Sequence, residues 1–130
     1  MTICLAGRRV LLVEDEVLIA MVIEATLEDE GMIVVGPFGR LSHALAAAQV
    51  EQIDVALLDV NLAGQYVYPV VDILEQRGIP FLFLTGYGGV ETPKGRGPWR
   101  AISKPFRTVE LLDGLDDVMT THARAHPLHT

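Results

Sequence analysis

The sequence predicts an α/β protein built on a doubly wound parallel sheet of five strands. Short apolar runs alternate along the chain with segments of helical character, which is the pattern of repeated strand–helix units. The runs are mostly apolar throughout rather than alternating, as expected for strands buried on both faces of a parallel sheet. With 130 residues and no internal repeat, the chain is expected to form one domain, with its core over about residues 8–124.

The first predicted strand, residues 9–13, ends in three consecutive acids, Glu14, Asp15 and Glu16. A helix follows over about residues 17–30, and Gly31 ends it. Its apolar residues are spread more widely than one buried stripe requires, so some are left near the surface. They are either ordinary isolated apolar residues or a docking patch for a partner helix. The core-facing residues are expected to be Leu18, Ile19, Val22, Ile23 and Leu27, and those near the surface Val17, Ala20 and Met21.

The middle of the chain supplies the second and third strands. Residues 32–35 form a strand that is turned by Gly36-Pro37, and Ser42 is placed to N-cap a helix over about 43–51. Residues 55–59 form the third strand, which ends on Asp59, and residues 61–64 are loop-like.

The last part supplies two more strands. A helix over about residues 66–76 carries Pro69 in its first turn and ends at Gly78. The fourth strand, residues 81–84, ends in Thr85. Residues 88–98 are so rich in Gly and Pro that we expect a mobile loop there and a degenerate fourth helix. A fifth strand, 99–103, leads into Lys104-Pro105, and a helix over about 109–123 follows.

Composition excludes several function classes. The net charge of −7 argues against a nucleic-acid-binding surface. The single cysteine rules out an internal disulfide and fits a reducing compartment. The sequence has neither an apolar stretch long enough to cross a bilayer nor the layout of a signal peptide. We therefore expect a cytoplasmic protein that works without a membrane.

Polar residues follow four of the five predicted strands. They are Glu14 and Asp15 on the first, Asp59 on the third, Thr85 on the fourth and Lys104 on the fifth. Taken singly, each has an ordinary structural explanation, as a cap, a turn hydroxyl or a solvated lysine. Because the carboxyl ends of parallel strands meet at one edge, where open α/β sheets bind ligands, their convergence favours a functional site.

Three carboxylates at one edge repel each other, and a hard divalent cation relieves that repulsion. The sequence therefore predicts a Mg²⁺ site. Asp15 and Asp59 are the expected direct ligands, Glu14 would hold a metal-bound water, and the backbone carbonyl of Asn61 would supply a further oxygen.

The second oxygen of Asp59 is then available as a nucleophile toward a phosphoryl group. Lys104 would hold a phosphoryl oxygen as a mobile point charge. The hydroxyl of Thr85 would donate to the same group and move its loop.

The set Glu14-Asp15, Asp59, Thr85 and Lys104-Pro105-Phe106 resembles the receiver domain of two-component response regulators over about residues 8–124. The resemblance implies a flavodoxin-like (βα)5 fold, with Asp59 as phosphoacceptor, Glu14 and Asp15 as the Mg²⁺ pair, Thr85 as switch hydroxyl and Lys104 as phosphoryl-binding lysine. It implies a histidine kinase or histidine phosphotransfer protein as donor, and a downstream protein as target. Self-phosphorylation and autodephosphorylation are then expected, without enzymatic turnover.

Two departures from the family pattern bear on the switch. Receiver domains often carry an aromatic residue three positions before the lysine, where this chain has Ala101. Phe83-Leu84-Thr85-Gly86-Tyr87 resembles the Phe-Ala-Thr-Gly-hydrophobic-Tyr signature of an atypical, mostly stand-alone subgroup, with Leu84 in place of the usual Ala. Tyr87 is therefore a candidate for part of the switch. We expect a stand-alone receiver that is a monomer or a weak dimer.

Three other functions remain in competition. A metal-dependent phosphohydrolase of the haloacid-dehalogenase type would also use an Asp nucleophile, but such enzymes usually place a second Asp two residues later, where this chain has Asn61. A degenerate receiver would bind partners without phosphorylation. A flavodoxin-like cofactor protein would need a phosphate-cradling Ser/Thr-rich loop after the first strand, which the sequence lacks.

Overall fold

A five-stranded parallel sheet forms the centre of the fold in the computed structural model, which describes residues 4–86 and 99–125. Within these residues, four helices cover the sheet, and a short antiparallel hairpin follows the third strand of the chain. In chain order the elements are β1 (Arg9–Val13), α1 (Val17–Asp29), β2 (Ile33–Phe38), α2 (Leu41–Val50), β3 (Val55–Asp59), β4 (Asn61–Leu62), β5 (Gln65–Tyr66), α3 (Tyr68–Arg77), β6 (Phe81–Thr85), β7 (Ala101–Ser103) and α4 (Thr108–Ala125).

The strand order in the sheet is β2-β1-β3-β6-β7, with all neighbours parallel. The predicted doubly wound α/β sheet, with its flavodoxin-like order, is confirmed. The chain winds in opposite directions on either side of the β1–β3 pair, which opens a crevice at the carboxyl ends of these strands. One apolar layer lies under α1 and α4 and the other under α2 and α3.

The register of the strands aligns their carboxyl ends. Val13 pairs with Leu58, and Asp59 pairs with Leu84. All five residues of β3 are buried, as the continuous apolar run predicts for a central parallel strand. The residues that follow β1 and end β3 therefore lie side by side at one edge.

The prediction that Gly36-Pro37 turns the second strand is wrong, because β2 continues through both residues to Phe38. The strand lies at the edge of the sheet, where a residue without an N–H is tolerated. The register with β1 shifts between Leu11 and Val13, which marks a bulge. Gly36 has a φ of 115°, and a Cβ there would lie 2.7 Å from the carbonyl oxygen of Leu12, so this bulge requires glycine.

Two further predictions need correction. Ser42 does not cap α2, because the helix already begins at Leu41 and follows the extended backbone of Arg40, which makes no side-chain cap. Residues 61–64 are not simply a loop, since Asn61 and Leu62 form β4 and pair with β5 across a two-residue turn. By contrast, α3 has Pro69 in its first turn and ends at Gly78 with a φ of 70°, as predicted.

The buried face of α1 also differs from the prediction. Ala20, Ile23 and Leu27 are the buried residues of the helix, whereas Leu18 is 78% and Val22 64% exposed. A nearly uniformly apolar helix has no unique buried face by periodicity alone, so packing against the sheet decides its rotation. The large apolar side chains that the helix exposes are those of Val17, Leu18, Met21 and Val22.

None of the helices within residues 4–86 and 99–125 combines the length and the apolar character needed to cross a bilayer. Residues 87–98 lie outside the described residues, so the expected mobile loop, the degenerate fourth helix and the role of Tyr87 stay predictions.

Candidate functional site

The strand ends bring the predicted residues together at the carboxyl edge of the sheet. Glu14 follows β1, Asp59 ends β3, Thr85 ends β6 and Lys104 follows β7. Within the described part of the chain, Glu14, Asp59 and Thr85 are the polar residues that are buried, at 2%, 7% and 3% exposure. Burial of these three and of no other described polar side chain singles out this edge, because an isolated buried polar group is costly.

Three carboxylates form the floor of the crevice. One oxygen from each of Glu14, Asp15 and Asp59 lies within 4.8 Å of the others. The alignment of β1 with β3 places Glu14 beside Asp59, and the backbone N–H of Glu14 donates to the carbonyl oxygen of Phe38 at 3.0 Å. The strands therefore hold the acids together against their mutual repulsion.

The ammonium group of Lys104 faces these acids. Its Nζ lies 2.6 Å from Oε1 of Glu14 and 3.4 Å from Oδ2 of Asp59. The backbone N–H of Lys104 donates to the carbonyl oxygen of Thr85 at 2.7 Å, which extends the pairing of β6 with β7 to the lysine. The peptide bond between Lys104 and Pro105 is cis.

The titration of the site reflects this crowding. Burial, together with the neighbouring Asp59, raises the pKa of Glu14 to about 8, although Lys104 opposes the shift. For Lys104, burial lowers the pKa, but the hydrogen bond with Glu14 and the charges of Asp59 and Glu14 outweigh it and raise the pKa. Oε2 of Glu14 is buried and has no hydrogen-bond partner among the described residues. The site thus holds more negative charge than its lysine compensates.

Asp15 is tied to the β4–β5 hairpin. Its Oδ2 accepts a hydrogen bond from the backbone N–H of Ala63 at 3.0 Å, and Asn61 Oδ1 accepts one from the N–H of Gly64 at 2.8 Å. Ala63 and Gly64 have φ values of 50° and 91°, the left-handed conformations that a two-residue hairpin turn of this type requires. Asn61 lies in this hairpin, two residues after Asp59. The sequence pattern did not predict the hairpin.

The hydroxyl of Thr85 makes a weak contact. Its Oγ1 lies 3.5 Å from the carbonyl oxygen of Ile102, at the limit of a hydrogen bond. A buried hydroxyl with so weak a bond can turn toward a stronger acceptor at small energetic cost.

Comparisons with known proteins decide the family. Residues 10–116 match the family model described as "Response regulator receiver domain".

The chain belongs to this family of receiver domains.

Three relatives illustrate the likeness. The chain is 29% identical to the transcriptional regulatory protein PdtaR of Mycobacterium tuberculosis over 84% of this chain and 55% of PdtaR, so it spans about half the length of the curated relatives it matches. It is 34% identical to SdrG of Sphingomonas melonis Fr1, with a TM-score of 0.70 over 92% of this chain and 98% of SdrG. It is 25% identical to the receiver domain of the sensor histidine kinase PA1611 of Pseudomonas aeruginosa PAO1, with a TM-score of 0.72 over 88% and 99% of the two chains.

Receiver domains of response regulators are phosphorylation-controlled signalling domains rather than turnover enzymes. The PA1611 receiver domain has a magnesium ion coordinated in its active-site cleft. The acidic crevice of the present receiver is chemically suited to the same ion. It offers hard carboxylate oxygens in a small space, and the buried Oε2 of Glu14 has no hydrogen-bond partner among the described residues.

Sequence reasoning missed two features around the crevice. Glu16 reaches Lys104 with an Oε1–Nζ distance of 3.5 Å, although its side chain is largely exposed. The outward face of α1 borders an open cleft of about 530 Å³ beside Lys104. The apolar lining of this cleft comes from Leu18, Ile19, Val22, Pro105 and Phe106. The broad apolar character of α1 was the available signal, but its rotation was assigned wrongly.

Proposed function

We propose that the chain works as one receiver domain, with its core over about residues 8–124, that accepts a phosphoryl group on Asp59. The single observation that carries this proposal is the geometry around that residue. A buried carboxylate shares its crevice with two others and lies 3.4 Å from an ammonium group. Glu14 has the same neighbours and lies closer to Lys104, but burial raises its pKa to about 8, which favours the protonated form that is not a nucleophile. Asp59, at the end of the central strand, is therefore the better candidate for the phosphoacceptor.

In the proposed step, one oxygen of the Asp59 carboxylate attacks the phosphorus of a phosphohistidine. The new P–O bond forms as the P–N bond breaks, and the departing imidazole keeps the bonding electron pair and takes up a proton. Glu14, Asp15, Asp59 and the backbone carbonyl of Asn61 would hold Mg²⁺, which neutralises the charge of the incoming group when bound. Phosphoryl transfer of this kind depends mainly on positioning and on charge stabilisation.

Lys104 and Thr85 are assigned roles on the transferred group. Lys104 would leave part of its contact with Glu14 and hold a phosphoryl oxygen as a point charge. Thr85 would give up its 3.5 Å contact with Ile102 for a phosphoryl oxygen, a stronger and charged acceptor. Because β6 and β7 are paired directly below both residues, these movements would shift the two strand ends together.

The proposed phosphodonor is a histidine kinase or a histidine phosphotransfer protein. The exposed apolar face of α1 lies next to Lys104 across the cleft, so a protein that delivers a phosphohistidine to Asp59 would meet this face. The downstream role is then that of a protein-binding switch or a phosphoryl carrier.

Turnover as a phosphohydrolase is disfavoured by residue 61. A haloacid-dehalogenase type enzyme needs an acid/base two residues after the nucleophile, whereas Asn61 is an amide whose Oδ1 accepts a hydrogen bond in the hairpin turn. A degenerate receiver is disfavoured because the acids and the lysine are assembled in one crevice.

Intact-protein mass spectrometry after incubation with acetyl phosphate tests the proposal. We expect one added phosphoryl group per chain when Mg²⁺ is present, and little when it is replaced by EDTA. Hydroxylamine should remove the group, because it cleaves acyl phosphates. Continuous phosphate release from many phosphate esters would point instead to the hydrolase, and an unmodified chain under all conditions would point to the degenerate receiver.

A further inference from the structure

Five aromatic rings make a continuous path of contacts from the β4–β5 hairpin to the start of β7. We call Tyr66, Tyr68, Phe81, Phe83 and Trp99 the aromatic array. Tyr66 stacks on Tyr68 with centroids 5.6 Å apart and an interplanar angle of 14°, and Tyr68 lies 6.0 Å from Trp99. Trp99 in turn contacts Phe83 at 5.3 Å and Phe81 at 5.9 Å. Such ring pairs have preferred geometries, so a displaced ring disturbs its neighbour.

One end of the array is attached to the crevice. Tyr66 is the cross-strand partner of Asn61, which is two residues from Asp59. The same hairpin is held by the hydrogen bond from Ala63 N–H to Asp15 Oδ2, and Ala63 has a left-handed φ of 50°, which is strained for a residue with a Cβ. Asp15 is one of the three carboxylates of the crevice, and it helps to hold this strained hairpin. A group that binds the carboxylates therefore also acts on the hairpin.

The other end lies just before β7, the strand that leads to Lys104. Trp99 is two residues before Ala101, and Ala101 pairs with Phe83, the residue whose ring Trp99 contacts. Trp99, Ala101, Phe81 and Tyr68 all pack on the same apolar layer. The ring that covers this part of the sheet comes from Trp99, whereas the position three before the lysine holds only a methyl group. Trp99 is half-buried and can respond to movement of Tyr68.

We propose that the path Tyr66–Tyr68–Trp99 couples occupancy of the crevice to β7, and that it takes the place of an aromatic switch at Ala101. This inference rests on the proposed function of Asp59. It makes Tyr68 the connecting ring, since Tyr68 touches both the exposed Tyr66 and the half-buried Trp99. Phe81 also touches Trp99, but its other ring contact within the described part of the chain is with Phe83 rather than with Tyr66 or Tyr68, so it lies outside the path.

Trp99 is the only tryptophan of the chain, so its emission reports on the array without labelling. The experiment follows Trp99 emission while Mg²⁺ and acetyl phosphate are added, with the phosphoryl content of the same sample measured by mass spectrometry. We expect an emission change that tracks the adduct and is absent in Asp59→Asn. Tyr68→Leu should lose most of that change although the adduct still forms, while Tyr68→Phe, which keeps the ring, should retain it.

Phe81→Leu is the matched control, because it removes a ring contact of Trp99 outside the proposed path. It should retain the emission change. The ring of Tyr66 is exposed, so we expect Tyr66→Leu to fold; it tests the same path if Tyr68→Leu fails to fold, and it should also reduce the response.

The outcomes separate the two ideas. The coupling is overturned if the adduct forms without a change in Trp99 emission, or if Tyr68→Leu shows the same emission change as the wild-type protein. In either case the function of Asp59 stands. Equal losses in Tyr68→Leu and Phe81→Leu would also overturn it, because Trp99 would then sense only its general packing. If no adduct forms on Asp59, the proposed function fails and the coupling fails with it.

Discussion

The two ends of β3 carry the same residue type in opposite surroundings. Asp54, just before the strand, is exposed, and its Oδ2 accepts a hydrogen bond from the backbone N–H of Arg9 at 2.8 Å. Asp59, at the other end, is buried, and it shares one ammonium group with Glu14. Asp54 is exposed to solvent and has a fixed partner, whereas Asp59 shares a single ammonium group with Glu14 and Glu16.

The surroundings of Asp54 show how a fold accommodates charge when stability alone matters. Arg9 donates from Nε to the carbonyl oxygen of Gln52 at 2.8 Å, and its Nη2 lies 3.7 Å from Glu51. These contacts are solvent-accessible and individually weak. At the Asp59 end, Glu14 is left with an unpartnered buried oxygen and a raised pKa. A fold tolerates such an arrangement where a ligand relieves it, which is why the contrast points to function.

The largest expected difference between the two ends is chemical. Asp59→Asn should abolish acyl phosphate formation with acetyl phosphate and Mg²⁺, because the nucleophilic oxygen is lost. Asp54→Asn should leave phosphorylation unchanged and lower the free energy of unfolding by about 1 kcal/mol, since an amide oxygen replaces a charged acceptor. Mass spectrometry and urea unfolding measure the two effects. Labelling of Asp59→Asn at the normal level would remove Asp59 from its assigned role.

Replacing the cationic side chain at each end of β3 should also distinguish the two ends by their effect on stability. In the metal-free protein at pH 8, Lys104→Met should lower the free energy of unfolding by about 3 kcal/mol, because it removes the cation that contacts both the buried Asp59 carboxylate and the ionised fraction of Glu14. Arg9→Met, at the exposed end, should cost less than about 1 kcal/mol. Mg²⁺ should stabilise the Lys104 variant at least as strongly as the unmodified sequence. Equal losses of stability in the two variants would show that burial does not distinguish these ion pairs.

The pH dependence of stability should come from the Asp59 end. The raised pKa of Glu14 means that the folded protein holds this proton more tightly than the unfolded chain. The resulting stability is fully present below the ordinary pKa of 4.5 and is lost as the pH rises toward about 8.

Urea unfolding without metal at pH 5 and pH 8 measures this loss. The unmodified sequence should lose about 3.5 kcal/mol relative to Glu14→Gln over this interval, because about 2.5 units of the pKa difference titrate between pH 5 and pH 8 at roughly 1.4 kcal/mol each. Added Mg²⁺ should offset the loss at pH 8. Parallel curves for the two proteins would mean that Glu14 titrates normally.

The smallest expected effect tests whether burial or mere proximity matters. Glu16 contacts the same ammonium group as Glu14, but its side chain is 60% exposed whereas that of Glu14 is fully buried. Glu16→Gln should therefore change the free energy of unfolding by less than about 0.5 kcal/mol at any pH from 5 to 8. A larger change would mean that Glu16 shares in the charge balance of the crevice.

Much of the fold was predictable because its signals are local. Continuous apolar runs identify buried parallel strands, and Gly and Pro mark the ends of α3 within a residue or two. The polar residues at the strand ends identified the acids, Thr85 and Lys104, since a parallel sheet collects its carboxyl ends at one edge. The family resemblance followed from the order of those residues.

Features that depend on neighbours distant in the chain were not predictable. The rotation of α1 was assigned wrongly because an almost uniformly apolar helix has several possible buried faces, and only the sheet selects one. The sequence alone predicts a turn at Gly36-Pro37, because the edge position and the bulge of this segment appear only once β2 is paired with β1. The hairpin after Asp59 is held in part by the hydrogen bond from Ala63 N–H to Asp15, 48 residues away.

The sequence by itself therefore determined which residues are the candidates for the chemistry and which strands they follow, since strand periodicity and chain order are local properties. The tertiary structure alone decided that Lys104 pairs most closely with Glu14, 90 residues away, rather than with Asp59. It also decided that Trp99 joins the rings of the hairpin to β7. The physical reason is that distances between side chains depend on strand register and helix packing, which form only when the whole core is assembled.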